Sequence, residues 1–93
     1  MIERDGNRLR VSGRLTMETV GALHDTSLQA DGNGALEIDF GRVEVVDSAA
    51  VSLLLCWLRR AHEVRVTLRF SNLPENLSSL ARLYGVAELL PVA

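Results

Sequence analysis

Val43-Glu44-Val45-Val46-Asp47-Ser48-Ala49-Ala50-Val51-Ser52-Leu53-Leu54-Leu55 is the stretch on which the fold turns. A β-type apolar run breaks at Asp47-Ser48 and resumes as an apolar run suited to a helix. Asp and Ser cap helices because a side-chain oxygen accepts from the unpaired N–H groups of the first turn, where the helix dipole also favours negative charge. The pair predicts a strand-to-helix corner with Ser48 fixed at the helix start, near the surface. A hydroxyl so placed suits modification by a kinase or the rim of a docking face. As structure alone, the same pair is an ordinary cap worth about 1 kcal/mol.

Downstream, Ala50, Leu53, Leu54, Trp57, Leu58 and Ala61, widened by Val51 and Leu55, form an apolar stripe that predicts a largely buried helix from Ser48 to about His62. The opposite arc carries Arg59, Arg60 and Glu63, and also Ser48, Ser52 and Cys56, a row of small side chains at successive i, i+4 positions. Small residues let another surface approach closely. Val64, Val66, Leu68 and Phe70 alternate with Arg65, Thr67 and Arg69, which predicts a strand over 64–70 with a basic outer face. Pro74 suits a first helical position, Leu77, Leu80, Ala81 and Tyr84 recur at helical spacing, and Gly85 marks the stop. The tail from Val86 to Ala93 is apolar enough to dock.

Upstream, Ala35-Leu36-Glu37-Ile38-Asp39-Phe40 reads as a strand, with Gly41-Arg42 and the run to Val46 as its approach to the corner. Asp31-Gly32-Asn33-Gly34 carries turn chemistry. Before it, Thr16 offers an N-cap for a helix over 17–30 whose Met17, Val20, Leu23 and Leu28 share one side, though Gly21, Thr19, Thr26 and Ser27 weaken it. Arg8-Leu9-Arg10-Val11-Ser12 alternates as a short strand ending at Gly13. Strands alternating with helices imply right-handed β–α–β crossovers and a small sheet with helices mainly on one side.

The chain has 93 residues, enough for a single domain over 1–93. With 47% apolar and 24% charged residues but only four aromatics, Phe40, Trp57, Phe70 and Tyr84, aliphatic packing must supply most of the stability. A net charge of −2 in a mixed distribution gives no field to gather nucleic acid or an anionic membrane, so partners are expected to be proteins. The lone Cys56 excludes an intrachain disulfide and points to a reducing cytoplasm. Met-Ile-Glu-Arg-Asp lacks the apolar segment of a secretory signal, and no apolar run approaches the ~20 residues of a membrane span.

Catalytic and cofactor chemistry find little support. There is no Gly-x-Ser-x-Gly elbow for a nucleophilic serine and no Gly-Lys-Ser or Gly-Lys-Thr loop for phosphate. His24 and His62 lack metal-ligand spacing and read as surface residues, and Arg59, Arg60, Arg65 and Arg69 lack the interleaved aromatics of a nucleic-acid face. Cys56 reads as a small, partly buried residue.

Gly13-Arg14-Leu15-Thr16, Ile38-Asp39-Phe40-Gly41-Arg42-Val43 and Val46-Asp47-Ser48-Ala49-Ala50-Val51-Ser52-Leu53-Leu54 together resemble the STAS domain, the fold of anti-sigma-factor antagonists, over essentially the whole chain. Leu80-Ala81-Arg82-Leu83-Tyr84-Gly85-Val86 and Leu89-Leu90-Pro91 are most similar to the MlaB type within that family. The resemblance implies an α/β fold with a small mixed β-sheet and helices mainly on one face. It implies a non-catalytic accessory subunit, without cofactor, of the Mla ABC transporter that moves phospholipid between the two membranes of a Gram-negative envelope. Such a subunit binds the MlaF-type ATPase in complex with the MlaE-type permease, and is cytoplasmic, held at the inner membrane by that complex without inserting. Partner-facing residues would be Val43, Glu44, Asp47, Ser48, Ala49, Ser52 and Cys56. Ser48 also matches the hydroxyl that antagonists have phosphorylated, so the alternative is an antagonist that captures an anti-sigma serine kinase. Ala49-Ala50 departs from the antagonist pattern, where a serine or glycine followed by glycine is usual.

Overall fold

Two glycines shape the first half of the sheet. The computed structural model describes residues 2–30, 32 and 34–92. Gly6, at φ +60°, opens the two-residue turn that joins β1 (Ile2–Asp5) to β2 (Arg8–Leu15) as an antiparallel hairpin. Gly13, at φ +85°, where the sequence predicts the strand's end, lies inside β2 at a shift of register and lets the strand bulge and run on to Leu15. β2 pairs in parallel with β3 (Ala35–Val46), and β3 in parallel with β4 (Thr67–Ser71), giving a mixed sheet of order β1-β2-β3-β4 among the described residues.

Alternation sorts the two faces. Leu9, Val11, Leu15, Leu36, Ile38, Phe40, Leu68 and Phe70 are buried with Ala50, Val51, Leu53, Leu54, Trp57 and Ala61 of α1 (Ser48–Glu63) and Leu77 and Ala81 of α2 (Glu75–Leu83). Phe40 sits at the centre, edge-on to Phe70 at 5.6 Å between ring centroids and tilted against Trp57 at 6.4 Å. The opposite face is polar. Arg8 bonds Asp39 at 2.7 Å and approaches Glu37 at 3.4 Å, and Arg10 approaches Asp5 at 3.6 Å. The Asn72 amide, the Gly41 N–H and the Arg8 guanidinium hold the Asp39 carboxyl below its ordinary range, against the opposing effect of partial burial. A Cβ at Gly41 would stand 3.1 Å from that carboxylate, a tight contact at the point where β3 runs on to Val46.

Several expectations need correction. Residues 17–30 hold only a short 3-10 helix, Val20–Leu23, because the Thr19 and Thr26 hydroxyls bond the Arg14 and Leu23 carbonyls and compete with helical pairing. Met17 is accordingly 77% exposed rather than part of a buried stripe. β4 starts at Thr67 rather than Val64, since Val64 and Arg65 form the stop of α1, with Arg65 at φ +60°. Pro74 is the cap of α2, not its first residue, and Tyr84 lies just past its last turn. The hairpin strand β1 was not anticipated at all. In the turn before β3, Gly32 and Gly34 take positive φ, while Asp31 and Asn33 lie outside the described residues. The tail docks as expected: Leu90 is buried, and the Phe70 N–H donates to the Pro91 carbonyl at 2.9 Å; Ala93 lies outside the described residues.

Candidate functional site

The corner between β3 and α1 is built around one carboxylate. Asp47 has extended backbone, and its Oδ1 accepts from the Ala49 N–H at 2.8 Å, capping the first turn. Its Oδ2 accepts from the Met17 N–H at 2.9 Å, and its own N–H donates to the Leu15 carbonyl at 3.2 Å. The end of β2, the turn that follows it and the start of α1 are thus tied at a single residue. Ser48, the first residue of α1, is exposed, as are Ser52 one turn on and Glu44 in β3. Val43 and Ala49 are half-buried. Of the Ala49-Ala50 pair, Ala50 is fully buried in the core, while Ala49 stays partly open beside Ser48 and lines the adjoining surface.

The small-residue row does not stay open along its length. Cys56 is half-buried, with its Sγ 3.4 Å from the His24 Nδ1. The segment carrying His24 is gripped from α1 by the Trp57 indole N–H, which donates to the Leu23 carbonyl at 3.2 Å, and by Arg60, which donates to the His24 carbonyl. Cys56 therefore packs beside His24, and His24 is not the free surface residue its sequence context predicts. His62 is exposed.

The open end acquires residues from elsewhere. A shallow depression of about 490 Å³ adjoins Ser48 and Ser52, and its apolar lining includes Met17, Leu55, Tyr84 and Val86. Tyr84 is 53% exposed. Sequence reasoning had assigned Met17 and Tyr84 to helix faces. That the end of α2 lies beside the start of α1 is a tertiary fact, and the only local hint is an aromatic residue placed directly before the Gly85 stop. A second depression, of about 530 Å³, lies toward the other end of α1 against Arg60 and Val64 and does not include Ser48.

Among the described residues no three His, Cys, Asp or Glu side chains gather as a metal site, and no helix is long and apolar enough to cross a membrane. The corner offers two open hydroxyls, a capped helix start and an adjoining apolar hollow.

Comparison with known proteins agrees with this architecture. A family model described as Mlab, STAS domain, matches residues 1–91. No curated protein matches the sequence. A solved structure of the anti-sigma factor antagonist SpoIIAA in its unphosphorylated form is similar over 100% of this chain and 86% of that chain, with a TM-score of 0.70 at 16% identity. At that identity the likeness is one of fold. With the family model covering nearly its whole length, the chain belongs to the STAS domain family.

Proposed function

We propose that this STAS domain is a non-catalytic docking subunit that binds the MlaF-type ATPase of an Mla phospholipid ABC transporter, in complex with the MlaE-type permease. The observation that carries the reading is the open start of α1, where Ser48 and Ser52 border an apolar hollow, in a chain matched by a family model described as Mlab. The contact face comprises Ser48, Ala49 and Ser52 with the flanking Val43 and Glu44, and the domain works at the cytoplasmic side of the inner membrane through its partner. To regulate the ATPase it must bind one conformational state better than another, because equal affinity for both shifts nothing.

Ser48→Glu tests the placement. A carboxylate beside Asp47 inside a close contact meets repulsion and loses hydration, so affinity for the purified MlaF-type ATPase from the same genome should fall by about tenfold or more. Equal dissociation constants for the variant and the wild type would remove Ser48 from the interface.

A second reading has its own support. Ser48 is exposed on the first residue of a helix, where a kinase can reach it, and the fold is similar to that of an anti-sigma factor antagonist. In that reading the partner is an anti-sigma serine kinase, and incubation with the kinase and ATP adds the mass of one phosphate, which Ser48→Ala abolishes. Kinase binding without ATPase binding would select it.

A further inference from the structure

A helix start needs one acceptor oxygen from its cap, and Ser, Thr or Asn supplies that as well as Asp. Asp47 spends its Oδ1 on the Ala49 N–H and its Oδ2 outside the helix, on the Met17 N–H. The turn it reaches is held from the other side as well: the Thr16 N–H donates to the Thr19 Oγ1 at 2.9 Å, and the Thr16 carbonyl accepts from the Thr19 and Val20 N–H groups, each at 2.9 Å. Met17 is thus an unusual combination, a long apolar side chain 77% exposed on a main chain fixed by hydrogen bonds, standing at the rim of the hollow next to Ser48. Methionine is suited to such a contact, since its unbranched thioether adapts to an apolar partner surface.

We infer that Asp47 is a positioning residue that acts through Met17: its second carboxylate oxygen sets Met17 over the hollow as a contact for the ATPase, while its first caps α1. This rests on the docking reading above. It reassigns Asp47, which need not touch the partner, and adds Met17, which does.

Asp47→Asn separates the two duties, because an amide offers one acceptor oxygen for the Ala49 N–H and presents donors to the Met17 N–H. The test is a double-mutant cycle on ATPase affinity with Asp47→Asn, Met17→Ala and the pair, read beside the Met17 amide and ¹³C-methyl NMR signals of the free domain. Each single change is expected to weaken binding by about tenfold and the pair by no more than either alone, since both remove the same contact. The Met17 signals should move in Asp47→Asn. Single effects that multiply to about a hundredfold, or an unchanged affinity for Met17→Ala, would overturn the inference. So would Met17 signals that stay in place. Should the wild type fail to bind the ATPase, the docking reading falls, while the NMR signals still decide whether Asp47 holds Met17. If Asp47→Asn does not fold, Asp47→Ser, which caps with a single oxygen, takes its place.

Discussion

Ser48 and Ser52 stand in solvent, whereas Cys56 and Arg60, which continue the same row at four-residue steps, engage the segment of Leu23 and His24. The two ends of α1 differ in what lies over them rather than in periodicity. At the far end the irregular chain after β2 comes down on the helix, anchored by buried Val20 and Leu28 and by the indole of Trp57. At the near end nothing among the described residues crosses Ser48, and the end of α2 adds Tyr84 beside it. Helical spacing therefore decides which side chains share a face, and the segment after β2, regular only in the short 3-10 helix Val20–Leu23, decides how much of that face stays open.

The strongest way to break this contrast is at Trp57. Its side chain is fully buried against Phe40, and its N–H is one of the ties to the covering segment. Trp57→Ala is expected to cost about 3–5 kcal/mol in urea-induced unfolding, the range for a large aromatic removed from a core. A cost near 1 kcal/mol would mean that the covered end is loosely packed and that the two ends of α1 differ little in how firmly they are held.

A smaller effect tests the contrast in place. Moving the single thiol one turn toward the open end, as Ser52→Cys combined with Cys56→Ser, puts it on an exposed position in place of one beside His24. Iodoacetamide should alkylate the moved thiol on the order of tenfold faster than the native Cys56, because access limits the covered thiol. Equal rates would show that the segment over Cys56 opens freely, leaving Cys56 as open to a partner as Ser52.

The same two ends show how far residues alone lead. The Asp47-Ser48 corner and the whole of α1 were legible because capping chemistry and a wide apolar stripe are local signals. The alternation of Leu68 and Phe70 identified β4, and the motif resemblance identified the family. β1 was not legible: four residues with three charges carry no pattern, and the strand exists because β2 offers it an edge. Residues 17–30 carry a loose apolar spacing that reads as a helix, but threonine hydroxyls and Gly21 favour local turns there. The hollow was out of reach for a different reason. Met17, Ser48 and Tyr84 belong to three separate segments, and only packing brings them together.

The smallest expected effect sharpens the question of what sets the covered end of α1, a local stop or the segment above it. Both helices close with the same pair of bonds. In α2 the Gly85 N–H donates to Arg82 and the Val86 N–H to Ala81; in α1 the Arg65 N–H donates to His62 and the Val66 N–H to Ala61. Both turn residues are left-handed, Gly85 at φ +72° and Arg65 at φ +60°, a conformation that is free for glycine and costs other residues about 1 kcal/mol. Among the described residues, none beyond its chain neighbours comes within 4 Å of a Cβ built on Gly85, so Gly85→Ala should lose about 1 kcal/mol for conformation alone. Arg65→Gly should gain roughly 0.5–1 kcal/mol in chemical denaturation, because it relieves the same cost while the exposed arginine side chain gives up little. A loss in Arg65→Gly would mean that the Arg65 side chain helps to hold this end of the helix, making the covered half of α1 a matter of tertiary contact to its last residue. A gain would leave the stop to the backbone and confine the tertiary grip to Trp57 and Arg60.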